Sequence, residues 1–377
     1  MSEETSPVLV LSDDQAALQA TVRAVVTKRY PETEVRKVAA AGAPRPGSGW
    51  SDLAGLGAIG LLIPEAADGS GATMTDVAAV VEVLGEELTP VPYLESAVFC
   101  SQAVIAASEV GVPGLLGRLA RGESILTYAV TENGGWTPAS IAASAERSEH
   151  GWSLRGVKRF VTNAAAADGY LVAAVTAAGP SLFLVASDTA GVTREPLFTT
   201  DQTRPLSHLT LDGAIGTLIG AEGQGWELVT AGLNAASVAL AGEMVGICAR
   251  LLRMAVSYAG ARKQFARPIG SFQAVKHRCA NMLVDLECAR ASALYAAWAV
   301  QSGAADAELA RLVALSVCGE SADRVSRNAM QIHGGVGFTW EHTVQLYFKR
   351  AQAEGLLLGS PAHHRRGVAR LVGITEQ

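Results

Sequence analysis

Two stretches near the C-terminus carry residue types that suit the binding of a phosphorylated ligand. The first begins at Arg262, whose planar guanidinium fits phosphate oxygens, and ends at Gln273. The second runs from Gln331 to Gly334 and Gly335, where glycines put no side chain between backbone amides and a ligand. The two glutamine amides can each donate and accept hydrogen bonds. Either stretch alone is weak, because an arginine or a glycine turn is also common at a helix end.

The hydrophobic pattern predicts helices, then strands, then helices again. Apolar residues recur at helical spacing from Asp13 to about Leu119, and again from Trp226 almost to the C-terminus. Between them, short alternating or β-branched segments separated by turn residues indicate a small all-β unit. These segments are Ile125–Thr131, Trp152–Gly156, Phe160–Thr162, Tyr170–Val175, Ser181–Ala186 and Leu206–Leu211. The sequence therefore predicts an α+β fold whose long C-terminal helices pack as a bundle.

Composition narrows the class of protein. Hydrophobic residues make up 49% of the 377 residues and aromatic residues 6%, a balance typical of an Ala- and Leu-rich helical protein. The formal charge is −6 and the basic residues are scattered, which argues against nucleic acid as a partner. The Met1–Asp14 segment lacks the basic start and apolar core of a signal peptide. Glu243 interrupts the apolar Leu228–Cys248 run, which argues against a membrane span.

The cysteines indicate neither a metal site nor a disulfide framework. They lie in helix-like segments without CxxC spacing, so we expect buried, reduced thiols in a cytoplasmic protein. The five are Cys100, Cys248, Cys279, Cys288 and Cys318. No set of His, Cys, Asp or Glu residues has metal-ligand spacing, and no hydrolase motif is present.

Taken together, Arg262–Gln273 and Gln331–Phe338 in a helix–sheet–helix chain resemble the acyl-CoA dehydrogenase family. The resemblance covers the chain from about Asp13. It implies an N-terminal all-α domain (1–122), a β-barrel-like middle domain (123–222) and a C-terminal four-helix bundle (223–377). It also implies FAD as cofactor, an acyl-CoA thioester as substrate for α,β-dehydrogenation, and electron-transfer flavoprotein as electron acceptor. Because family members lend nucleotide contacts to a neighbouring subunit, it implies an oligomer as well.

The resemblance further implies which residues contact FAD. The segment Tyr128–Glu132 resembles the strand that binds the pyrimidine edge of the flavin ring. The segment Phe160–Asn163 resembles the strand that sets an aromatic ring and a Thr hydroxyl against the flavin. Without the C-terminal motifs, both would be ordinary strand residues. The expected contacts are Tyr128, Val130, Thr131, Phe160, Thr162, Arg262, Gln264, Phe265, Gln273, Gln331, Gly334, Gly335 and Ser360.

The chain departs from the family pattern at the catalytic base. The reaction needs a carboxylate in an apolar cleft, where desolvation makes proton capture easier. The first family position for this base holds Leu358, and the Glu354–Gly355 dipeptide lies four residues too early. The alternative position holds Ala236. Glu243 lies seven residues further on, about two helical turns along the same face, and is the candidate base, with a solvated or helix-paired acid as the alternative.

A further departure follows Glu132, where the family usually has small residues and a hydroxyl. Here the run Asn133–Thr137 contains Trp136, which would crowd the pyrophosphate space unless the loop is rebuilt, and Thr137 is the candidate replacement for the hydroxyl. The chain thus keeps the residues that family members lend to a neighbour's FAD, and it departs from the family pattern around its own flavin. This asymmetry resembles the heteromeric α2β2 acyl-CoA dehydrogenases of actinobacteria, which act on bulky and sterol-derived CoA thioesters. A homotetramer, a non-catalytic subunit completing the partner's FAD site, and a flavin oxidase or monooxygenase are the alternatives.

The remaining histidines are expected to have structural or solvated roles. The run His363–Arg366 could meet a CoA phosphate but is expected to be a solvated basic cluster. His333 belongs to the adenine-side turn, and its main chain is as good a contact as its ring. His277 follows Lys276 on a helix and is expected at the surface.

Overall fold

The computed structural model describes residues 9–42, 45–107 and 112–374. The first eight residues of the predicted N-terminal domain and the last three of the C-terminal one lie outside the described residues. The helices are α1 (Asp13–Arg29), α2 (Glu32–Ala40), α3 (Ser48–Gly55), α4 (Met74–Glu86), a π-helix (Tyr93–Cys100), α5 (Ser101–Ile105), α6 (Leu115–Ala120), α7 (Gly225–Ala261), α8 (Gln273–Ser302), α9 (Ala307–His333), α10 (Val344–Leu357) and α11 (Pro361–Leu371). The strands are β1 (Leu126–Ala129), β2 (Ser144–Ser148), β3 (Gly151–Thr162), β4 (Gly169–Thr176), β5 (Gly179–Ala186), β6 (Val192–Pro196), β7 (Leu206–Ile219), β8 (Lys263–Gln264) and β9 (Arg267–Pro268).

The chain divides into two compact units that are discontinuous in sequence. The helical unit comprises Met1–Glu32, Met74–Thr89 and Ser237–Gln377, and the sheet unit comprises Thr33–Thr73 and Pro90–Ala236. The predicted α+β class, with N-terminal helices, a barrel-like middle region and a C-terminal helical bundle, is confirmed. The C-terminal region has three long helices, α7 to α9, followed by the shorter α10 and α11.

Several helix ends follow directly from local sequence. The Ser12 hydroxyl accepts a hydrogen bond from the Gln15 amide while the Gln15 side chain accepts one from the Ser12 amide, which forms a capping box ahead of α1. Gly303 ends α8 in the left-handed region, with φ of 64°. Ser360 caps α11, and Pro361 occupies its first turn, where no amide hydrogen is needed.

Five strands of the sheet unit form a closed ring. The hydrogen-bonded order runs β4, β2, β3, β7 and β5, and β5 pairs again with β4. Strand β1 adds to β4 in parallel, and β6 adds to β7. Closure lets the inward side chains bury one another, and this core includes Trp152, Leu154, Tyr170 and Phe183.

The expectation of two separate strands at Trp152–Gly156 and Phe160–Thr162 is wrong, because β3 runs unbroken from Gly151 to Thr162. The interruption in the pattern is a β-bulge. Lys158 pairs with Leu209 and Val161 with Ser207, so β3 contains one residue more than its partner.

Helix α7 is long and apolar enough to cross a membrane by length and composition alone, and the segment meeting this criterion is 89% buried in the protein. Such burial is typical of a core helix. Close packing against α4 accounts for part of it within the helical unit. A Cβ on Gly246 would lie 2.0 Å from the Glu82 carbonyl oxygen, and one on Gly85 would lie 2.1 Å from the Glu243 carbonyl oxygen. Only glycine allows the two backbones to approach this closely.

The apolar side chains of α8 are only partly buried. Met282 and Leu286 are in the core, whereas Leu283 is 48% exposed and its neighbour Val284 is 61% exposed. The expectation that all five cysteines are buried is also wrong, because Cys288 is exposed and Cys279 is half-buried. Their helix is apolar on more than one face, and only one face packs inside the unit.

Candidate functional site

The expected flavin-ring residues of the sheet unit lie on two neighbouring segments. Thr131 follows β1, and its hydroxyl donates a hydrogen bond to the Arg159 carbonyl at 2.8 Å. The Arg159 amide donates back to the Thr131 carbonyl at 2.8 Å. This pair of bonds fixes Tyr128, Val130 and Thr131 beside the bulge of β3.

A buried ion pair holds these two segments together. Lys158 Nζ lies 2.6 Å from Glu132 Oε1 and 3.3 Å from the Val130 carbonyl oxygen. Glu132 also accepts hydrogen bonds from the amides of Ala142 and Ala143. Burial lowers the pKa of Lys158, against the opposing charge of Glu132. Burial raises the pKa of Glu132, but the hydrogen bonds from Lys158 and the Ala143 amide outweigh it and leave that pKa below its usual value.

The bulge presents Phe160 outward. Its φ of 58° lies in the left-handed region, and its ring is 47% exposed beside His208. A non-glycine residue in this conformation is strained, and such strain concentrates at functional sites. The next residue but one, Thr162, is fully buried, and its hydroxyl lies within weak hydrogen-bond reach of the Tyr128 hydroxyl. An exposed aromatic face and a hydroxyl two residues apart fit a flat ring bearing polar nitrogens.

Tyr128 lies in an aromatic cluster that includes the unexpected Trp136. Its ring centroid is 4.2 Å from that of Phe99 and 5.9 Å from that of Trp136. Burial, followed by the negative charge of Glu95, raises the pKa of Tyr128. The loop after Glu132 is therefore built so that the indole packs on Tyr128, while Thr137 is exposed ahead of a short 3-10 turn.

The expected nucleotide-side residues of the helical unit are exposed. Arg262, Gln264, Phe265, Gln273, Gln331 and Gly335 all lie at the surface of the chain. Gly334 ends α9 with φ of 61°, and a Cβ on either Gly334 or Gly335 would meet nothing within 4 Å. Exposed donors beside an open backbone fit the phosphate and adenosine parts of FAD. Ser360 is half-buried, and its hydroxyl caps α11 by accepting a hydrogen bond from the His363 amide.

Phe265 occupies the tip of the two-residue hairpin between β8 and β9. Phe265 and Ala266 both have positive φ, 51° and 60°, as a tight hairpin turn with the native twist requires. Phe265 is 87% exposed, and Arg267 stacks on Phe272 at 4.1 Å. The turn therefore projects an aromatic side chain away from the chain at the cost of two unfavourable backbone conformations.

The ring of His333 supports the glycine turn from inside. It is buried, stacks on Tyr258 at 4.6 Å, and its Nδ1 lies 2.8 Å from the Ala329 carbonyl oxygen. Burial lowers its pKa. Any ligand contact at this position is therefore expected through the main chain.

Neither family position for the base holds an acid, and both are closed. Leu358 is 3% exposed and Ala236 is 0% exposed. Glu354 and Glu243 are both buried on either side of Arg350. Arg350 Nε is 3.2 Å from Glu354 Oε1, and Arg350 Nη2 is 3.8 Å from Glu243 Oε1. The candidate base thus belongs to a buried charge cluster of the helical unit.

The expectation of a solvated basic cluster at His363–Arg366 is wrong for His364. This residue is 3% exposed, and its Nε2 lies 3.0 Å from the Gly359 carbonyl oxygen. Helical spacing turns it inward between exposed neighbours. Burial, followed by the charge of His363, lowers the pKa of His364 to about 4.

The structure gathers the expected residues into two sets, one in each unit. Sequence reasoning missed Lys158, although Trp152, Leu154 and Lys158 alternate along β3 and so share its inward face. It also missed the buried Glu95 and Arg204. Among the described residues, no group of three His, Cys, Asp or Glu side chains could hold a metal ion.

Family models match the chain in three consecutive parts. They are the acyl-CoA dehydrogenase N-terminal domain at residues 12–123, the middle domain at 127–214 and the C-terminal domain at 223–373. A relative in Mycolicibacterium smegmatis, "Acyl-CoA dehydrogenase IpdE2", is 34% identical over 94% of this chain and 98% of its own length.

Solved structures add similar matches. The ChsE4-ChsE5 complex from Mycobacterium tuberculosis matches with a TM-score of 0.86 at 29% identity, covering 98% of this chain and 100% of that one. A variant of the steroid ACAD Tcur3481-Tcur3483 matches with a TM-score of 0.86 at 28% identity, covering 96% and 98%.

Replacing Lys158 tests the buried pair. Lys158→Met should lower the free energy of unfolding by about 3–5 kcal/mol, because Glu132 is left buried without its cation. The matched control is Arg155→Met on the same strand. The side chains of Arg155 and its ion-pair partner Asp212 are 66% and 77% exposed, so this substitution should lower the free energy of unfolding by less than about 1 kcal/mol. Urea unfolding of both variants measures the difference, and equal losses would contradict the role given to Lys158.

His364 should make the protein less stable in mild acid. Its pKa in the folded state, about 4, lies below that of an unfolded histidine, so the unfolded chain binds more protons between these values. Stability should fall as pH drops from about 6.5 to about 4, by up to about 1.4 kcal/mol per pH unit. Urea unfolding of His364→Gln at several pH values should lack this part of the slope. The exposed His277→Gln should keep it.

Proposed function

Because this chain belongs to the acyl-CoA dehydrogenase family, we propose that it works as one subunit of a heterotetramer with a homologous partner. The chain is an acyl-CoA dehydrogenase, and FAD is its cofactor. When bound, FAD accepts the hydride that leaves the substrate's β-carbon.

The proposal rests on a contrast in exposure and chemistry between the expected nucleotide contacts and the expected positions of the base. Every donor expected to contact a nucleotide, from Arg262 to Gln331, is exposed on the helical unit. The two positions expected to hold the base are filled by the buried Leu358 and Ala236. A chain of this kind is equipped to complete a neighbour's FAD site and depends on that neighbour for proton abstraction.

Exposed apolar side chains of the helical unit support an oligomer. Surfaces of this kind mark protein–protein contacts. They include Phe265 at 87%, Phe338 at 77%, Trp340 at 59%, Val284 at 61% and Leu283 at 48% exposure. Phe265 belongs both to this surface and to the expected FAD contacts, so the subunit contact and the cofactor contact would form together.

In the sheet unit, this chain's residues would hold the flavin ring. Thr131 and Val130 present their backbone beside it, and Thr162 offers a buried hydroxyl to a ring nitrogen. Phe160 would cover one face of the ring and exclude water. These roles require that the β3 bulge stay fixed, which the Lys158–Glu132 pair ensures.

The structural match named as a steroid ACAD supports a bulky, sterol-derived acyl-CoA as the substrate class, and the match to the ChsE4-ChsE5 complex supports a partner subunit. We assign electron-transfer flavoprotein as the acceptor and the cytoplasm as the location on the family resemblance. The second candidate function is a non-catalytic subunit that completes only the partner's FAD site. The buried Leu358 favours it, since this chain lacks a carboxylate there.

Counting flavin tests the subunit assignment. Co-expression with a homologous acyl-CoA dehydrogenase chain from the same organism should yield an α2β2 complex that reduces its flavin with acyl-CoA. Arg262→Ala should lower the FAD content of the complex, because a phosphate partner is lost. The neighbouring exposed Lys263→Ala should leave it unchanged. Full activity of this chain alone would contradict the partnership, and four flavins per tetramer would exclude a degraded flavin site.

Glu243 is tested in the same complex. If the partner supplies the base, Glu243→Gln should change the rate of flavin reduction less than about two-fold. It should still lower the free energy of unfolding by up to about 3 kcal/mol, because a buried ion pair with Arg350 is disturbed. Glu354→Gln is the matched control, since it removes the other carboxylate beside Arg350. A loss of about a hundred-fold or more in Glu243→Gln alone would assign the base to Glu243.

A further inference from the structure

Glu95 is a buried carboxylate with few polar contacts among the residues that the structure describes. It lies on the π-helix Tyr93–Cys100 and is 0% exposed. Neither of its carboxylate oxygens makes a hydrogen bond among the described residues. The guanidinium of Arg204 forms a loose ion pair with it, with Nε 3.6 Å from Glu95 Oε1, longer than an ordinary hydrogen bond. By contrast, the buried Glu132 accepts from Lys158 and from two amides.

The π-helix is tied to the strand that carries the expected flavin contacts. Ser96, next to Glu95, accepts a hydrogen bond from the Leu126 amide of β1 at 3.1 Å. Two residues further along β1, the buried Tyr128 hydroxyl lies within reach of the Thr162 hydroxyl, which acts on it as a weak hydrogen-bond partner. Glu95 acts electrostatically on Tyr128. Buried polar atoms of three side chains therefore lie around β1 within the sheet unit, and those of Glu95 accept no hydrogen bond among the described residues.

This concentration is unusual on physical grounds. Most buried polar side-chain atoms in proteins have a hydrogen-bond partner, and each exception calls for an explanation. A buried carboxylate without donors is especially unfavourable, even with a cation near it. The π-helix is a rare conformation that is frequently found at functional sites. Both features are explained if a ligand supplies the missing donor.

We propose that Glu95, with Arg204, recognises a hydroxyl group on the acyl part of the CoA thioester. A hydroxyl can donate to the Glu95 carboxylate and accept from the Arg204 guanidinium at the same time, which neither an alkyl carbon nor a carboxylate can do. The inference rests on the proposed function, because it places the acyl group beside the strand that holds the flavin ring. It makes Glu95 a specificity-determining residue and leaves proton abstraction to another group.

The expected discrimination follows from the cost of leaving this carboxylate without a donor. A hydrogen bond to a charged group corresponds to about ten-fold or more in affinity. A substrate that lacks the hydroxyl would bury the carboxylate still unsatisfied. The intact complex should therefore prefer a hydroxylated acyl-CoA over its deoxy parent by at least about ten-fold in kcat/KM.

The experiment uses the flavin-containing complex and matched pairs of substrates. The pairs are 3- and 4-hydroxycyclohexanecarbonyl-CoA against cyclohexanecarbonyl-CoA, and 6-hydroxyhexanoyl-CoA against hexanoyl-CoA. Anaerobic flavin bleaching gives the rate, and the shift of the flavin spectrum gives the Kd. In at least one pair, Glu95→Leu should abolish the preference for the hydroxylated substrate. The variant should bind the hydroxylated substrate less tightly and bind its deoxy parent as the unchanged complex does. Glu95→Gln, which keeps the shape and one acceptor, should show an intermediate preference.

Controls separate recognition from a purely structural role. Glu86→Gln also removes a buried carboxylate, one that pairs with Arg253 at 3.0 Å in the helical unit, and should leave the preference unchanged. Values are normalised to bound flavin, so a fraction of misfolded Glu95→Leu does not affect them. The inference would be overturned if the intact complex showed no preference in any pair. It would also be overturned if Glu95→Leu weakened binding of both members of each pair equally. Complexes that no acyl-CoA bleaches would instead overturn the proposed function, and the inference with it.

Discussion

The Lys158–Glu132 ion pair is the constraint on which the sheet unit's share of the site depends. Lys158 extends from the inward face of β3, across the bulge, to the segment that follows β1. An ammonium group at 0% exposure is tolerable only with a fixed anion, and Glu132 is fixed in turn by two backbone amides. The pair therefore sets the separation of the two segments that carry Thr131 and Thr162, and with it the space proposed for the flavin ring.

The helical unit meets a different requirement with a different kind of structure. Its nucleotide-side residues are exposed, on a hairpin with a strained tip and on a glycine turn with open space in front of it. Its buried charges, Glu243, Arg350 and Glu354, balance one another inside the bundle. One unit is thus organised around an internal ion pair and the other around an open surface. The proposed sharing of FAD with a neighbouring subunit would require both.

Much of the architecture could be predicted because it follows from periodicity, which is local. The order of helices and strands and the exposed Arg262 and Gln331 turns needed only spacing and residue type. The predictions were wrong where tertiary contacts determine strand pairing or burial. The break in β3 is a bulge that only pairing with β7 reveals, and His364 is buried because α11 turns it towards the chain. Glu95 gave no signal, since a lone acid in an apolar segment does not show whether a donor reaches it.

The glycine contacts between α4 and α7 have a mechanical consequence. At Gly85 and Gly246 each backbone fits against a carbonyl oxygen of the other helix. Sliding either helix by one residue would replace a hydrogen atom with a side chain at that point, which the contact has no room for. The register of the two helices is therefore fixed. The Glu243 carbonyl is one of the two contact points, so the backbone of Glu243 can shift along the helix axis only if both helices move together.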